Sequence, residues 1–335
     1  MAAAKIIIKW ILRILAAIVI ITLAVLIIFR IATSIRESKT VLDAAPVNGH
    51  FINTSLGQIY IQETGPSDGP AIVFIHGFGA WSQTWQPAMQ AASVLGYHAI
   101  ALDIPPFGFS EKPNANAFTR SDQAKRIKEV LDSLNIKSAV FVGHSVGGRA
   151  TMEAVLENPK YVKALILVDP ALGFDSSNKF TQNNPSLLIK TLFALRPVRN
   201  ILISSTATNP LFTKTLFGTF VADKNILTKD ILKIYQTPFV VKDSTNKLGD
   251  FLKIFVEGQD NSLSTDSANY KQVKVPTLLI WGEKDTVTPL WQSQNLNSLI
   301  AGSKLITLPG IGHVPQIENP QSFNETVTQF LKTLK

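Results

Sequence analysis

Six short apolar runs separated by helical stretches constrain the fold of this chain most strongly. Each run has four or five residues, mainly Ile, Val, Leu and Ala, as expected of strands buried on both faces of a sheet. The runs lie at residues 71–75, 99–102, 139–142, 164–168, 277–281 and 304–307. Amphipathic stretches such as residues 121–134 and 320–334 accompany them. This alternation predicts an α/β fold, with a mostly parallel sheet and helices on both of its faces.

A long interruption separates the fourth run from the fifth. About a hundred residues after Asp169 lack a buried-strand pattern and contain apolar helical stretches broken by Asn-Pro and Thr-Pro. Because a structureless loop of this length is improbable, we expect residues 171–271, which we call the insertion, to form a helical cap over the sheet. Residues 49–170 and 272–335 then form the α/β core, which begins with a β-hairpin. The insertion holds nine of the nineteen Phe residues, and we expect some of them to line an apolar substrate pocket.

The first 40 residues combine an apolar stretch with most of the excess positive charge of the chain. The apolar stretch covers residues 6–29 and is interrupted only by Lys9 and Arg13, so it is long enough to cross a bilayer as a helix. Six basic residues and one acidic residue give this segment +5 of the total charge of +8. The basic character therefore belongs to the flanks of a membrane segment, and it gives no argument for a nucleic-acid partner.

We expect residues 1–30 to be a retained single-pass membrane anchor and residues 31–48 to be a juxtamembrane linker. The alternative is a signal peptide cleaved at Ala32-Thr33-Ser34, which would leave a secreted protein. The length of the apolar stretch and the position of Arg30 between it and that site favour the anchor. The N-terminal side has Lys5, Lys9, Arg13 and the α-amine, and its positive charge slightly outweighs that of Arg30, Arg36 and Lys39, which Glu37 offsets. This bias predicts an internal N-terminus and an extracytoplasmic α/β domain.

The segment Gly143-His144-Ser145-Val146-Gly147 follows directly on the third apolar run and opens a helical stretch. This is the G-x-S-x-G pattern in the strand–turn–helix context that it requires. The tight turn strains the backbone at Ser145, and the small neighbours Gly143 and Gly147 allow chain and substrate to approach. We therefore predict Ser145 to be a nucleophile. The chain has no Cys, which excludes a thiol nucleophile, disulfides and Cys-ligated metal sites.

A serine hydroxyl needs a base, and the base needs an acid that orients it. His313 is the only His after Ser145, and it lies in a Gly-rich loop beyond the last apolar run, where functional groups of open α/β sheets collect. Asp285 follows the fifth run and is the expected acid, because the order Ser, Asp, His fits this architecture. Asp169, at the end of the fourth run, is the alternative acid. Glu283 is more typical of a solvated turn.

The loop after the first apolar run reads His76-Gly77-Phe78-Gly79. Acyl transfer needs hydrogen-bond donors aimed at the developing oxyanion, and we assign this role to the backbone N–H groups of Phe78 and Val146. We expect His76 to hold the loop by hydrogen bonds. His144 is expected to support the elbow, with its ring turned away from the nucleophile. Gly77 and Gly79 complete the support of the oxyanion loop.

With these motifs the chain resembles the α/β-hydrolase superfamily, in the branch with a helical cap, over about residues 50–335. The resemblance implies a serine hydrolase of the esterase or lipase type. The segment Asp103-Ile104-Pro105-Pro106-Phe107-Gly108-Phe109-Ser110 is similar to the family's Asp-x-Pro-Gly-x-Gly-x-Ser loop, with Pro106 where Gly is usual. Relatives that cleave carbon–halogen bonds or epoxides use an Asp nucleophile, and Ser145 argues against both reactions.

Ester cleavage is the expected reaction, and the apolar insertion and the membrane segment together point to acyl-chain or lipid substrates. The same triad could cleave a carbon–carbon bond in a vinylogous diketone or perform halide-assisted peroxidation, and the sequence does not separate these. Two alternatives are not enzymes. One is a ligand-binding or sensing protein that keeps the hydrolase fold, and the other is a structural membrane protein with a vestigial site. No phosphate-binding loop, dinucleotide fingerprint or metal-ligand cluster occurs in the sequence, so no cofactor is expected.

Overall fold

The computed structural model describes residues 2–113, 117–177, 179–180, 186–257 and 261–334. The strands are β1 (His50–Thr54), β2 (Gly57–Thr64), β3 (Ala71–Ile75), β4 (His98–Leu102), β5 (Ala139–His144), β6 (Val162–Val168), β7 (Thr277–Gly282) and β8 (Lys304–Leu308). They form one sheet in the order β1-β2-β4-β3-β5-β6-β7-β8. The pairs β1–β2 and β2–β4 are antiparallel, and all other neighbours are parallel. The predicted mostly parallel α/β sheet is confirmed, with an N-terminal hairpin at one edge.

The helices account for most of the chain that lies outside the sheet. The α-helices of the described residues are α1 (Ala2–Arg36), α2 (Val41–Ala44), α3 (Gln86–Val94), α4 (Arg120–Ser133), α5 (Val146–Glu157), α6 (Leu187–Ala194), α7 (Arg196–Ser205), α8 (Thr213–Phe217), α9 (Lys229–Gln236), α10 (Ser244–Glu257), α11 (Trp291–Leu299), α12 (Pro315–Glu318) and α13 (Pro320–Lys332). Short 3₁₀ helices cover Ser82–Trp85, Pro159–Tyr161, Lys224–Ile226, Thr237–Val240, Leu263–Thr265 and Ser267–Gln272.

Each face of the sheet has its own hydrophobic core. Side chains alternate between the faces along a strand, and β3 is buried throughout because helices cover both faces. Val73 and Ile75 belong to the core that α4, α5 and α11 cover. Ile72 and Phe74 belong to the opposite core, together with side chains of α3 and α13. The prediction of helices on both faces is therefore confirmed.

The parallel strands bring the loops that carry the predicted site residues to one edge of the sheet. In the register, Ile75 of β3 lies opposite Gly143 of β5, and Val168 of β6 lies opposite Ile280 of β7. The last residue of β7, Gly282, pairs with Leu308 at the end of β8. The carboxyl ends of these strands therefore lie at the same edge of the sheet, and the loops beyond them lie close together.

The insertion contributes the helices α6 to α10 between β6 and β7. Its Phe217, Val221 and Tyr235 pack against Ala80 and Val314 in loops of the core. A second group, which includes Ile203, Leu248 and Phe251 of the insertion, packs on Phe107 and Phe118. The insertion is thus helical, as expected, and it lies against the loops at the carboxyl ends of the strands. The division of the chain at residues 30, 48, 170 and 271 stays a prediction.

One helix of the described residues, Lys5–Arg36 within α1, is long and apolar enough to cross a membrane. Its apolar side chains are exposed to a degree that a buried core helix does not show; Ile20, for example, is 66% exposed. This pattern fits the predicted anchor, and a signal sequence has the same pattern.

Helix α1 does not end with the apolar stretch but continues to Arg36. Thr33 is buried, and the buried carboxylate of Glu37 accepts hydrogen bonds from the backbone N–H and the hydroxyl of Thr245 in the insertion. Lys39 pairs with Val241 in an isolated β-bridge. Part of the segment that the polar composition predicted as a linker therefore contacts the insertion, through Glu37 and Lys39, whereas most of its other residues are exposed.

Candidate active site

Ser145 occupies the tight turn between β5 and α5. Its backbone has φ 51° and ψ −120°, a conformation that L-residues rarely adopt and that is typical of strained functional positions. The side chain is buried. Gly147 follows in the first turn of α5, where a Cβ atom would collide with the carbonyl oxygen of His76. The turn therefore has the strained geometry that the G-x-S-x-G pattern predicts.

The imidazole of His313 lies directly beside this hydroxyl. His313 follows β8 in a loop held by a hydrogen bond from its backbone N–H to the carbonyl of Phe220, at 2.7 Å. Its Nε2 is 2.8 Å from Ser145 Oγ, and its Nδ1 is 2.7 Å from Asp285 Oδ2. With Nδ1 protonated toward the carboxylate, Nε2 is free to accept the hydroxyl proton. The three residues predicted from the sequence thus form one hydrogen-bonded chain.

Asp285 is fixed in the loop after β7 by donors that hold its carboxylate ionised. Oδ1 accepts the backbone N–H groups of Val287 and Thr288 at 2.7 and 3.0 Å, and Oδ2 accepts the Thr288 hydroxyl at 2.5 Å. Burial alone would raise the pKa of Asp285, but its hydrogen bonds with His313 and Thr288 lower this pKa below its ordinary value. Thr288 was not predicted from the sequence, although an Asp-x-x-Thr turn is a visible signal for such a contact.

Asp169, the alternative acid, lies next to this chain but in a different environment. Its Oδ1 accepts the backbone N–H of Gly282 at 2.9 Å, and its carboxylate lies within 4.8 Å of ligand atoms of Asp285 and His313. Burial, and then the charge of Asp285, raise the pKa of Asp169 well above its ordinary range. Both ring nitrogens of His313 are engaged by Ser145 and Asp285. The geometry therefore favours Asp285 over Asp169 as the partner of the imidazole.

Two further histidines support the site as neutral rings. His76 Nε2 accepts the backbone N–H of Ile104 at 2.9 Å, and its Nδ1 lies 2.8 Å from the carbonyl of Gly77. His144 Nε2 lies 2.7 Å from the carbonyl of His313. Burial lowers the pKa of His76 to about 4 and that of His144 to about 3. The ring bonded to the Ser145 hydroxyl is that of His313, and the supporting roles of His76 and His144 stay predictions.

The two residues predicted to donate to the oxyanion line the same cavity as the serine. Phe78 and Val146 line a cavity of about 730 Å³, which includes space open to solvent, together with Ser145 and His313. Val146 is the first residue of α5, so its N–H has no acceptor within the helix. Gly77 comes so close to His144 that a Cβ atom would lie 2.6 Å from its Nδ1, and Gly79 has a φ of +68°, which favours glycine.

The insertion supplies most of the apolar wall of this cavity. Its large lining side chains from the insertion are those of Phe217, Phe220, Tyr235, Phe251, Leu252 and Phe255. A second chamber of about 870 Å³ shares Val146, Phe251 and Phe255 with the first and extends toward Gln123 of α4. The sequence predicted that some Phe residues of the insertion face the cleft, but it did not distinguish them from those of the insertion's own core.

The loop with the unusual Pro106 lies at the edge of the second chamber. The carboxylate of Asp103 accepts the backbone N–H groups of Ser82 and Phe109, both at 2.7 Å, and so holds the loop. Pro105 and Phe107 line the chamber. The departure from the family pattern therefore lies between two residues that line the chamber, and the Ser145–His313–Asp285 contacts are intact.

A family model described as alpha/beta hydrolase fold matches residues 70–320 of the chain. The chain belongs to the α/β-hydrolase family. It is 28% identical over 236 residues to the uncharacterized hydrolase YugF of Bacillus subtilis (strain 168), covering 70% of this chain and 81% of that protein. It is also 28% identical over 282 residues to 2-hydroxy-6-oxononadienedioate/2-hydroxy-6-oxononatrienedioate hydrolase of Escherichia coli (strain K12), covering 82% and 91% of the two chains.

Among solved structures, the chain is similar to a bacterial membrane phospholipase A described as a virulence factor. The TM-score is 0.67 at 22% identity, and the match covers 100% of this chain and 99% of that one. At this identity the likeness shows the fold alone. Together these comparisons show that the chain has the α/β-hydrolase fold and belongs to that family.

Proposed function

We propose that the protein is a membrane-anchored serine hydrolase that cleaves carboxylic esters with apolar acyl groups. The observation that carries this proposal is the chain of hydrogen bonds from Ser145 through His313 to Asp285, at 2.8 and 2.7 Å. Nucleophile, base and orienting acid in this order are what ester hydrolysis through an acyl-enzyme requires. The apolar wall that the insertion contributes supports an acyl substrate.

The proposed reaction proceeds in two halves. Ser145 Oγ attacks the ester carbonyl carbon while His313 Nε2 takes the hydroxyl proton, and the charge of Asp285 stabilises the imidazolium that forms. The carbonyl oxygen becomes an oxyanion and accepts the N–H groups of Phe78 and Val146. His313 gives its proton to the leaving alcohol, which leaves an acyl-Ser145 ester. Water, deprotonated by His313, then attacks this ester and releases the acid and the free hydroxyl.

Carbon–carbon bond cleavage is the second candidate, and a specific observation favours it. The Escherichia coli relative carries the name of a hydrolase that acts on 2-hydroxy-6-oxononadienedioate, a vinylogous diketone rather than an ester. The membrane phospholipase A, by contrast, carries the name of an ester hydrolase and matches the chain along its whole length, including α1. We favour the ester, because the cavity beside Ser145 is lined mainly by apolar side chains.

We further propose that α1 is retained as a single-pass anchor rather than removed as a signal peptide. The Ala32-Thr33-Ser34 segment lies inside α1, and Thr33 is buried. The end of α1 packs on α7, and Glu37 just after it bonds with Thr245, so the folded domain uses the residues that adjoin this segment. The basic residues Lys5, Lys9 and Arg13 at the N-terminal end of the membrane segment support an internal N-terminus and an extracytoplasmic catalytic domain.

The test is turnover of p-nitrophenyl esters of graded chain length and of a vinylogous diketone, with Ser145→Ala as the inactive variant. We expect ester turnover that favours longer acyl chains, and a loss of about 10⁶-fold in kcat in the variant. Ser298→Ala, which changes an exposed serine on α11, is the matched control and should retain full activity. Preferred turnover of the diketone would contradict ester hydrolysis and support carbon–carbon bond cleavage. Full activity of the Ser145→Ala variant would contradict both proposals.

A further inference from the structure

The outer surface of the insertion exposes an unusual number of large apolar side chains. Leu187 is 79% exposed, Leu188 68% and Leu211 76%. We call the group to which they belong the apolar face of the insertion. It consists of Leu187, Leu188, Ile189, Leu195, Leu202, Leu211 and Phe212. Single exposed apolar residues are normal on a soluble protein, but a group of this kind within one short segment marks an interaction surface.

The apolar face adjoins the membrane segment itself. Helix α7, which carries Leu202, packs against α1. The ring of Phe212 meets the ring of Phe29 edge to face, with centroids 6.3 Å apart. Phe29 is the last residue of the apolar stretch, and Arg30 follows it. Phe29 therefore marks the level at which α1 leaves the hydrocarbon, and the apolar face begins at that level.

The charges around the apolar face fit a lipid surface. Residues 176–222 contain five basic residues and no acidic residue. Lys190, Arg196 and Lys214 are exposed among the apolar side chains, whereas Arg199 is paired with Asp250 of α10. Leu and Phe side chains flanked by Lys and Arg are the composition of segments that lie in the interface of a bilayer with anionic headgroups. A protein partner would need no such excess of one charge.

We propose that the apolar face lies in the interfacial region of the membrane that α1 spans, so that the insertion receives lipid substrates directly from the bilayer. This inference rests on the proposed membrane anchoring. Helix α6 of the apolar face packs on α10, and α10 supplies Phe251 and Phe255 to the walls of both chambers. The same helical layer thus has the membrane on one side and the cavity with Ser145 on the other, so an acyl chain would cross only the insertion.

The absence of Cys from the chain allows a direct test with single labels. Full-length protein with Leu188→Cys or Leu211→Cys, each labelled with an environment-sensitive nitrobenzoxadiazole, is reconstituted in phosphatidylcholine–phosphatidylglycerol vesicles. Lipids that carry a nitroxide then report contact with the bilayer. Ile20→Cys in α1 is the control for membrane insertion, and Val94→Cys, 83% exposed at the end of α3, is the control for a water-facing site.

We expect labels at positions 188, 211 and 20 to emit at shorter wavelength and to be quenched by nitroxide lipids, and the label at position 94 to be unaffected. Quenching at 20 with water-like emission at 188 and 211 would overturn this inference and leave the anchor standing. Blue-shifted emission at 188 and 211 without quenching by lipid would show a second protein copy on this face and would also overturn it. A water-like label at 20 would overturn the anchor and this inference together.

Enzyme kinetics give an independent readout. The double variant Leu188→Ser/Leu211→Ser should hydrolyse a soluble short-chain ester as the wild type does, because neither residue lines a chamber. Turnover of a long-chain ester presented in vesicles should fall by about tenfold, since two buried leucine contacts with the interface are lost. Val94→Ser should change neither rate. Equal turnover of the vesicle substrate by the double variant and the wild type would contradict the proposal.

Discussion

The edge of the core around Ser145 and the insertion that covers it differ in the kind of side chain that forms them. At the edge, polar side chains are buried and paired: His313 bonds to both Ser145 and Asp285, and Thr288 fixes Asp285. In the insertion, apolar side chains form the inner wall of the cavity and also the exposed outer face. The comparison teaches that, in the proposed enzyme, the core sets the reaction and the insertion sets which substrate arrives and from where.

The largest effect expected from this comparison is a loss of rate for every substrate when the core is changed. Asp285→Asn should lower kcat by about 10⁴-fold for short and long esters alike, because an amide cannot stabilise the imidazolium and favours the wrong tautomer of His313. Asp169→Asn is the matched control, since it changes the neighbouring carboxyl that does not contact the imidazole, and it should retain most of the activity. Steady-state kinetics of both variants check this. A greater loss in Asp169→Asn would make Asp169 the catalytic acid.

A smaller effect is expected where α1 meets the insertion. Glu37→Ala should lower the free energy of unfolding by about 1–3 kcal/mol, because the buried N–H and hydroxyl of Thr245 lose their acceptor. Thermal unfolding of the detergent-solubilised protein measures this. Glu257→Ala removes a part-exposed pair with Lys253 on α10 and should cost less than about 1 kcal/mol. Equal unfolding temperatures for the two variants would show that α1 is not held by Glu37.

A change inside the insertion should alter selectivity rather than the reaction. Leu252 of α10 lines the cavity beside Ser145, and Leu252→Phe fills part of that space. We expect kcat/KM for long-chain esters to fall by about tenfold relative to short-chain esters, because an overfilled pocket disfavours the longer group by about 1–2 kcal/mol. The ratio of the two values within one variant is its own control. An equal loss of kcat/KM for short and long esters would contradict a role of Leu252 in selectivity.

The smallest effect concerns stability against pH. The pKa of Asp169 is raised in the folded protein, so its contribution to stability is present at low pH and is lost as the pH rises above about 4 toward the folded-state value. Asp169→Asn cannot lose a proton. Its unfolding temperature should therefore exceed that of the wild type at pH 8, and the difference should shrink toward pH 4. The corresponding difference in the free energy of unfolding should change by at most about 1.4 kcal/mol per pH unit. A difference that grows toward low pH would contradict a raised pKa of Asp169.

The core was largely predictable from sequence, and the reason is local. The apolar runs, the elbow at Ser145 and the loops with Asp285 and His313 each carry their signal within a few residues, and parallel strands then bring the loops together. For the insertion, the sequence predicted the helical character but not the packing of the helices. The packing of helix α7 was not visible in the sequence, because its buried Arg199 is paired with Asp250, which lies far along the chain. The docking of Glu37 on Thr245 depends in the same way on a distant residue.

The most direct test of the central claim is the site of labelling by a fluorophosphonate probe. If Ser145, His313 and Asp285 act as one unit, peptide mass mapping of the labelled protein will find the adduct on Ser145, and His313→Ala will leave that serine unlabelled, because the hydroxyl then lacks its base. An adduct on another serine, or labelling of Ser145→Ala as strong as that of the wild type, would contradict the account.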